Sequence, residues 1–213
     1  MRIKFPKEVR SNFKGYNYFI ELLRLLQESS DANFTISFEN TEIFEANLSA
    51  ILGAIIDSVS EKKKIVEYVD IHKNIHDVFE LNNFLKNSNH NLNTPHKETV
   101  ISFMKFTQYK DIEFMDYVKN EMLSKPNFPK HSKLLGKKIN ESIFELFENA
   151  RTHGHCNNIY TCGQIIQEKE VTRLDFTIVD MGKTIKTNVN EYLTANFSGS
   201  DAIEWAMQSG HTT

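Results

Sequence analysis

Between Ser132 and His153 the residues Ile139, Ile143, Leu146, Phe147 and Ala150 recur at helical spacing. That recurrence commits the segment to a long amphipathic helix with one greasy stripe against a core. Glu145, Asn149 and Thr152 share the opposite arc, because a step of four residues advances only about 40° past a full turn. Asn is a mediocre helix former, and here it sits mid-helix instead of at a cap. A carboxylate one turn from a carboxamide supplies an acid that can orient water and an oxygen that can hold a hard cation. Mg-nucleotide chemistry needs both. Downstream, the apolar run Leu174 to Val179 predicts a core strand, and it leads into Asp180-Met-Gly182.

The residues that carry a family resemblance are Glu145-Leu-Phe-Glu-Asn149-Ala-Arg-Thr-His153-Gly154 and the strand ending in Val179-Asp180-Met-Gly182. Together they resemble the GHKL superfamily of ATPases and kinases, and E-L-x-x-N-A-x-x-H-G looks more like the anti-sigma-factor serine kinases than ordinary histidine kinases. E-x-x-x-N alone is unspecific; the two motifs in the right order give the resemblance its weight. It implies ATP and Mg²⁺ as cofactors. Glu145 would be the base or water-positioning group, Asn149 the Mg²⁺ ligand and Asp180 the acceptor for the adenine amino group. Gly182 would let the backbone approach the base, and His153 would border the nucleotide. Thr184 stands at the family's second glycine, where the resemblance implies a cofactor-binding position and a side chain would narrow that approach, while Ile185 fits the apolar position that follows. The bland alternative for Glu145 and Asn149 is a solvated polar face. For His153 it is a helix-end histidine facing the dipole, with Gly154 as the helix stop.

The first half alternates strand and helix patterns. Residues 3–5, Phe34 to Phe38 and Ile65 to Ile71 read as strands, and Tyr16 to Glu28, Ala46 to Val59 and Ile75 to Leu85 as helices. This order, with the turn after Phe38 into Phe44-Glu-Ala-Asn-Leu-Ser49, resembles a STAS domain over residues 1–86. Ser49 is the hydroxyl nearest the family's phosphorylated serine, but it is shifted into the helix and reads as a packing or surface residue. The half is therefore expected to have a purely structural or a docking role. A polar run from Asn87 to Pro95 marks a linker over 87–98. In the remainder, Thr99 to Phe106, Asn158 to Gln167 and Val171 to Val179 read as strands, the last two flanking a polar turn at Glu168-Lys-Glu. Ile112 to Leu123 and Ala202 to Ser209 read as helices. The fold class is α/β (mixed α+β), a STAS-like domain followed by a GHKL-like domain over 99–213. The later glycine-rich phosphate motif of the family is missing before Thr213, so the chain reads as a fragment of a longer protein or a truncated product.

Net charge is −3, which gives no electrostatic case for nucleic acid. Lys62-Lys63-Lys64 reads as a solvated helix end or turn. The chain contains no membrane-length apolar run and the start has no signal-peptide core, so a cytoplasmic protein without membrane attachment is expected. Cys156 and Cys162 then read as free thiols. His153-Gly-His155-Cys156 invites a metal site, but no second ligand pair follows at zinc spacing. The expected function is ATP-dependent signalling or regulation with an unidentified protein partner or phosphoacceptor. The alternative is a non-catalytic interaction module in which nucleotide binding is a switch or a vestige. A DNA-topology or repair ATPase shares the helix motif but gains nothing from the charge. Oligomeric state is not legible.

Overall fold

The computed structural model describes residues 1–85, 98–168 and 171–211. The expected linker, apart from Glu98, and the centre of the Glu168-Lys-Glu turn lie outside the described residues. The fold is mixed α+β. Its strands are β1 (Arg2–Lys4), β2 (Glu8–Val9), β3 (Asn33–Ser37), β4 (Ile43–Phe44), β5 (Ile65–Val69), β6 (Val100–Thr107), β7 (Asn158–Glu168) and β8 (Val171–Asp180). The helices are α1 (Phe13–Glu28), α2 (Ser49–Ser60), α3 (Lys73–Leu81), α4 (Asp111–Tyr117), α5 (Lys133–Thr152), α6 (Ile185–Leu193) and α7 (Gly199–Ala206). A 3-10 turn, Ala46–Leu48, precedes α2, and a π-helical turn, Val118–Leu123, extends α4. No described helix is long and apolar enough to cross a membrane.

In the first half, β1 and β5 flank β3 in a parallel sheet, with Ile3 opposite Ile36 and Ile36 opposite Tyr68. The short pair β2–β4 adds Val9 opposite Phe44. Parallel strands need crossovers, and α1 and α2 supply them. The core is aromatic: Phe5, Phe34, Phe38, Phe44 and Phe79 are buried, and Phe38 and Phe44 both meet the Phe79 ring edge-on. Helix α1 begins at Phe13, a turn earlier than its apolar spacing predicts, because Asn12 caps it by accepting from Gly15 N at 3.0 Å. Lys64 is more than a solvated charge. Its Nζ donates to the carbonyls of Leu26 and Ser29 at 2.5 and 2.7 Å, satisfying the C-terminal end of α1. Ser49 is fully buried and accepts from Asn82 Nδ2 at 2.8 Å, which is the packing role its position predicts.

In the second half, β6, β7 and β8 form an antiparallel sheet in that order. One face packs on α4 and α5, where Phe147 stacks on Phe114 with ring centroids 4.5 Å apart. Leu174, Phe176 and Ile178 of β8 join that core. The other face is covered by α2 of the first half. Ala50 and Ala54 pack there against Tyr160 and Cys162, with Phe103 and Val179 beside them. A sheet covered on both faces accounts for the apolar residues at consecutive positions of β7 and β8. Polar groups fix the register of this joint. Cys162 Sγ donates to Ala46 O at 3.0 Å, Ala46 N donates to Gln164 Oε1 at 3.0 Å, and Asn47 Nδ2 donates to Thr177 Oγ1 at 2.9 Å. At its rim Asp57 takes Lys105 Nζ at 2.6 Å and the Tyr160 hydroxyl.

Burial alone would raise the Asp57 carboxyl, but the hydrogen bonds from Lys105 and Tyr160 outweigh it and hold the group below the usual carboxylate range. A folded value below the unfolded one means the stabilisation is complete above about pH 4 and drains as pH falls through the folded value. Asp57→Asn should therefore lower stability at neutral pH by about 1 kcal/mol, the scale of a part-exposed ion pair, and the deficit should shrink steadily as pH falls below about 4. Thermal melts of both proteins across pH check this; a deficit that does not change with pH refutes it.

Candidate functional site

Helix α5 starts at Ser132, whose side chain accepts from Leu135 N at 3.1 Å. Its rotation is set by Phe147 and Ala150 facing the core. Leu146, Asn149, Ala150 and His153 then fall at i, i+3, i+4 and i+7, along one edge of the helix. Leu146 is 54% exposed and so departs from the core stripe its spacing predicts. It lines a cavity of about 500 Å³ together with Asn149, Ala150 and His153. The opposite wall comes from the end of β8 and from α6, with Ile178, Asp180, Lys183, Ile185, Asn188 and Val189. Trp205, Ala206 and His211, in and after α7, close one side. The Trp205 and His211 rings stack at 4.3 Å, and Tyr192 of α6 lies 5.9 Å from Trp205.

Two backbones meet at the base of this cavity. Lys183 N donates to Gly154 O at 2.7 Å, and a Cβ on Gly182 would lie 2.1 Å from the same oxygen. A Cβ on Gly154 would lie 2.4 Å from Ala150 O. Both glycines are required by close approach. The left-handed turn that ends α5 is at His155, φ 49°, so Gly154 is not the residue that stops the helix by its conformation. Asp180 Oδ1 accepts from Gly182 N at 2.9 Å, holding the loop, and its other carboxylate oxygen has no protein partner among the described residues. Asn188 Nδ2 donates to His153 O at 2.6 Å, tying α6 to the end of α5.

The structure thus brings Asn149, His153 and Asp180 to one cavity, with Asp180 on the wall that faces the other two. Gly182 lies beneath them, in backbone contact. Glu145 is exposed one turn back along α5, outside the lining. Thr184 also lies outside the lining: it is the N-cap of α6, accepting from Thr187 N at 3.2 Å. The Thr184 hydroxyl, at a position where the sequence resemblance leads one to expect a glycine, therefore has a structural task. Helix α6 went unread in the sequence, and with it Lys183, Asn188 and Val189 of the wall. The available signal was Thr184 ahead of Ile185, Val189 and Leu193 at i, i+4 and i+8.

The histidine–cysteine run does not converge as a metal site. His155 is exposed, and Cys156 is buried with Sγ donating to Ala150 O at 3.1 Å. Burial, and then the nearby Asp180 charge, push the Cys156 thiol up to about 11, and burial raises Cys162 as well. Both cysteines are free thiols, and neither has thiolate character at neutral pH. Among the described residues, the grouping close enough to share a metal is His76, Asp77 and Glu80 on α3, away from the cavity.

The donor set fits part of a Mg-nucleotide. An apolar slot of Leu146, Ile178, Val189 and Trp205 suits a flat base, and a free carboxylate oxygen suits an exocyclic amine. Asn149 offers a carboxamide oxygen for a hard cation. The lining otherwise offers the Lys183 ammonium and the His153 and His211 rings, instead of the row of glycine amides that commonly cradles phosphate. No protein-family model, curated protein or solved structure matches this chain.

The Gly154–Gly182 contact leaves no room for a methyl group, and the facing atom is backbone that cannot rotate away. Gly182→Ala should destabilise the protein by about 1–3 kcal/mol, as overpacking does. It should also loosen the Asp180 loop. Denaturant midpoints check this, and an unshifted midpoint would remove the contact from the account.

Proposed function

We propose that this chain binds an adenine nucleotide with Mg²⁺ in the cavity between α5, β8 and α6, and that it acts as an ATP-dependent signalling or regulatory protein. One observation carries the reading: Asn149, His153 and Asp180, 31 positions apart from first to last in the chain, line the same 500 Å³ cavity. Asp180 is held by Gly182 N with one carboxylate oxygen spare, so it accepts the base's amino hydrogen. Leu146 and Trp205 cover the faces of the base and exclude water. Asn149 presents its oxygen to Mg²⁺, which supplies charge neutralisation of the phosphates when bound. In this reading the chain combines a STAS-like half with a GHKL-like half in the cytoplasm. The first half meets a protein partner or phosphoacceptor.

The position of Glu145 favours a second reading alongside the first. Its carboxylate is exposed outside the cavity lining, so binding without turnover, a nucleotide switch, is the form the geometry serves with least rearrangement. General-base chemistry requires hydrogen-bond reach to the attacking group, which a carboxylate one turn from the wall gains only when the ligand extends toward it.

Calorimetry with Mg-ATP and Mg-GTP tests the base reading. Guanine presents an oxygen where adenine presents the amino group, and two facing acceptors in a dry site cost about 1–3 kcal/mol. The parent should prefer ATP accordingly, and Asp180→Ala should erase the preference. Equal, tight binding of both nucleotides by the parent would overturn the assignment. Turnover separates the two forms of the proposal. Glu145→Ala should spare binding and lower any phosphoryl transfer or hydrolysis by about 10²–10⁴-fold; unchanged turnover at saturating ATP would make Glu145 a solvated face residue only.

A further inference from the structure

Lys183 has no task in the reading above, yet it is the lysine of the cavity wall, and no arginine stands there among the described residues. Its main chain is fixed by the 2.7 Å bond from its N–H to Gly154 O. Its side chain is held differently. Nζ lies 2.6 Å from Glu191 Oε2 on α6, and the two side chains are 43% and 57% exposed. Water screens a pair this open, so it adds little net stability and exchanging one anion for another costs little. A lysine is a compact charge on a flexible four-carbon stem. Pivoting on a fixed Cα, it can reach either α6 or the cavity. The cavity's own acidic group, Asp180, suits a hydrogen-bond donor and repels an anion, so an anionic part of a ligand needs a counter-charge from elsewhere in the wall.

We propose that Lys183 exchanges Glu191 for a phosphate-type group of the ligand bound in the cavity. The ligand is then selected by its anionic tail as well as by its base, and freeing Glu191 reports occupancy to α6. The exchange makes no covalent bond: one charge-assisted hydrogen bond replaces another, and a polyphosphate outbids a single carboxylate through its greater charge. The same helix carries Asn188, which holds the His153 carbonyl, and Val189, which is buried in the wall. A change at Glu191 is therefore transmitted to an element already bonded to α5. This proposal rests on the nucleotide reading for the identity of the ligand, while the role of the lysine requires only the phosphate chain.

The test is calorimetric titration of the full chain with adenosine, ATP and inorganic tripolyphosphate, each with Mg²⁺, in the parent, Lys183→Met and Glu191→Gln. Both side chains are at the surface, and thermal melts confirm that the variants are folded. The parent should bind ATP more tightly than adenosine. Lys183→Met should weaken ATP about 10- to 100-fold, the range for one lost hydrogen bond to a charged group, and leave adenosine unchanged. Glu191→Gln, which removes the competing carboxylate, should tighten both ATP and tripolyphosphate. Retention of the parent's ATP-to-adenosine ratio by Lys183→Met overturns the proposal. Tripolyphosphate that binds the parent but not Lys183→Met, with adenosine binding neither, would keep the role of the lysine and sink the base reading. Failure of the parent to bind either ATP or tripolyphosphate would sink both.

Discussion

The backbone apposition of Gly154 and Gly182 is the contact on which the second half turns. One carbonyl, Gly154 O, receives the Lys183 N–H and occupies the space where a Gly182 side chain would stand. Through it the C-terminal end of α5, the end of β8 and the start of α6 become one unit. Asp180 is then fixed from below by Gly182 N, and His153 from the side by Asn188. Without two glycines the chains could not approach this closely, and the cavity would have no floor.

The joint between the halves follows a different rule. Helix α2 lies on the sheet through Ala50 and Ala54, residues small enough for close approach, while aromatic rings pass continuously from Phe79 through Phe84 to Phe103 with spacings of 5.0 and 5.1 Å. The polar groups of this joint are paired across it, Asn47 with Thr177 and Ala46 with Gln164 and Cys162. A slip of one residue in β7 would turn Tyr160 and Cys162 toward α5 and leave these partners unpaired in a dry interface. The two halves therefore specify each other's register as well as burying each other's surface.

The core and the cavity lie on separate faces. The residues that carry the core of the second half, Phe114, Phe147 and Ile159, are fully buried. The cavity is edged by residues that remain open, such as Leu146, Ile185 and Lys183. Exposed apolar side chains at a cavity edge cost the free protein solvation free energy that a bound ligand recovers. Site and core share helix α5 but use different stripes of it, so a substitution at Asn149 or Glu145 leaves the Phe147 packing intact.

Periodicity determined most of the elements from the sequence alone. The alternation in Phe34–Phe38, the stripe in Ala46–Val59 and the long helix ending near His153 each follow from apolar spacing, since burial of one face is what that spacing encodes. The proximity of Asn149 to Asp180 was legible only through motif order, which says nothing of distance. Tertiary structure decided the rest. Leu146 lies on the helical stripe but faces the cavity, because Phe147 and Ala150 fix the helix rotation. Gly154 looks like a helix stop, yet space at the Ala150 and Asp180 contacts makes it a glycine. Thr184 departs from the expected glycine because a helix begins there and needs its cap. Lys183 and Asn188 enter the wall only once α6 folds back on α5. Spacing along one chain records which face a residue takes within its own element; which surface that face meets is set by the packing of elements distant in sequence.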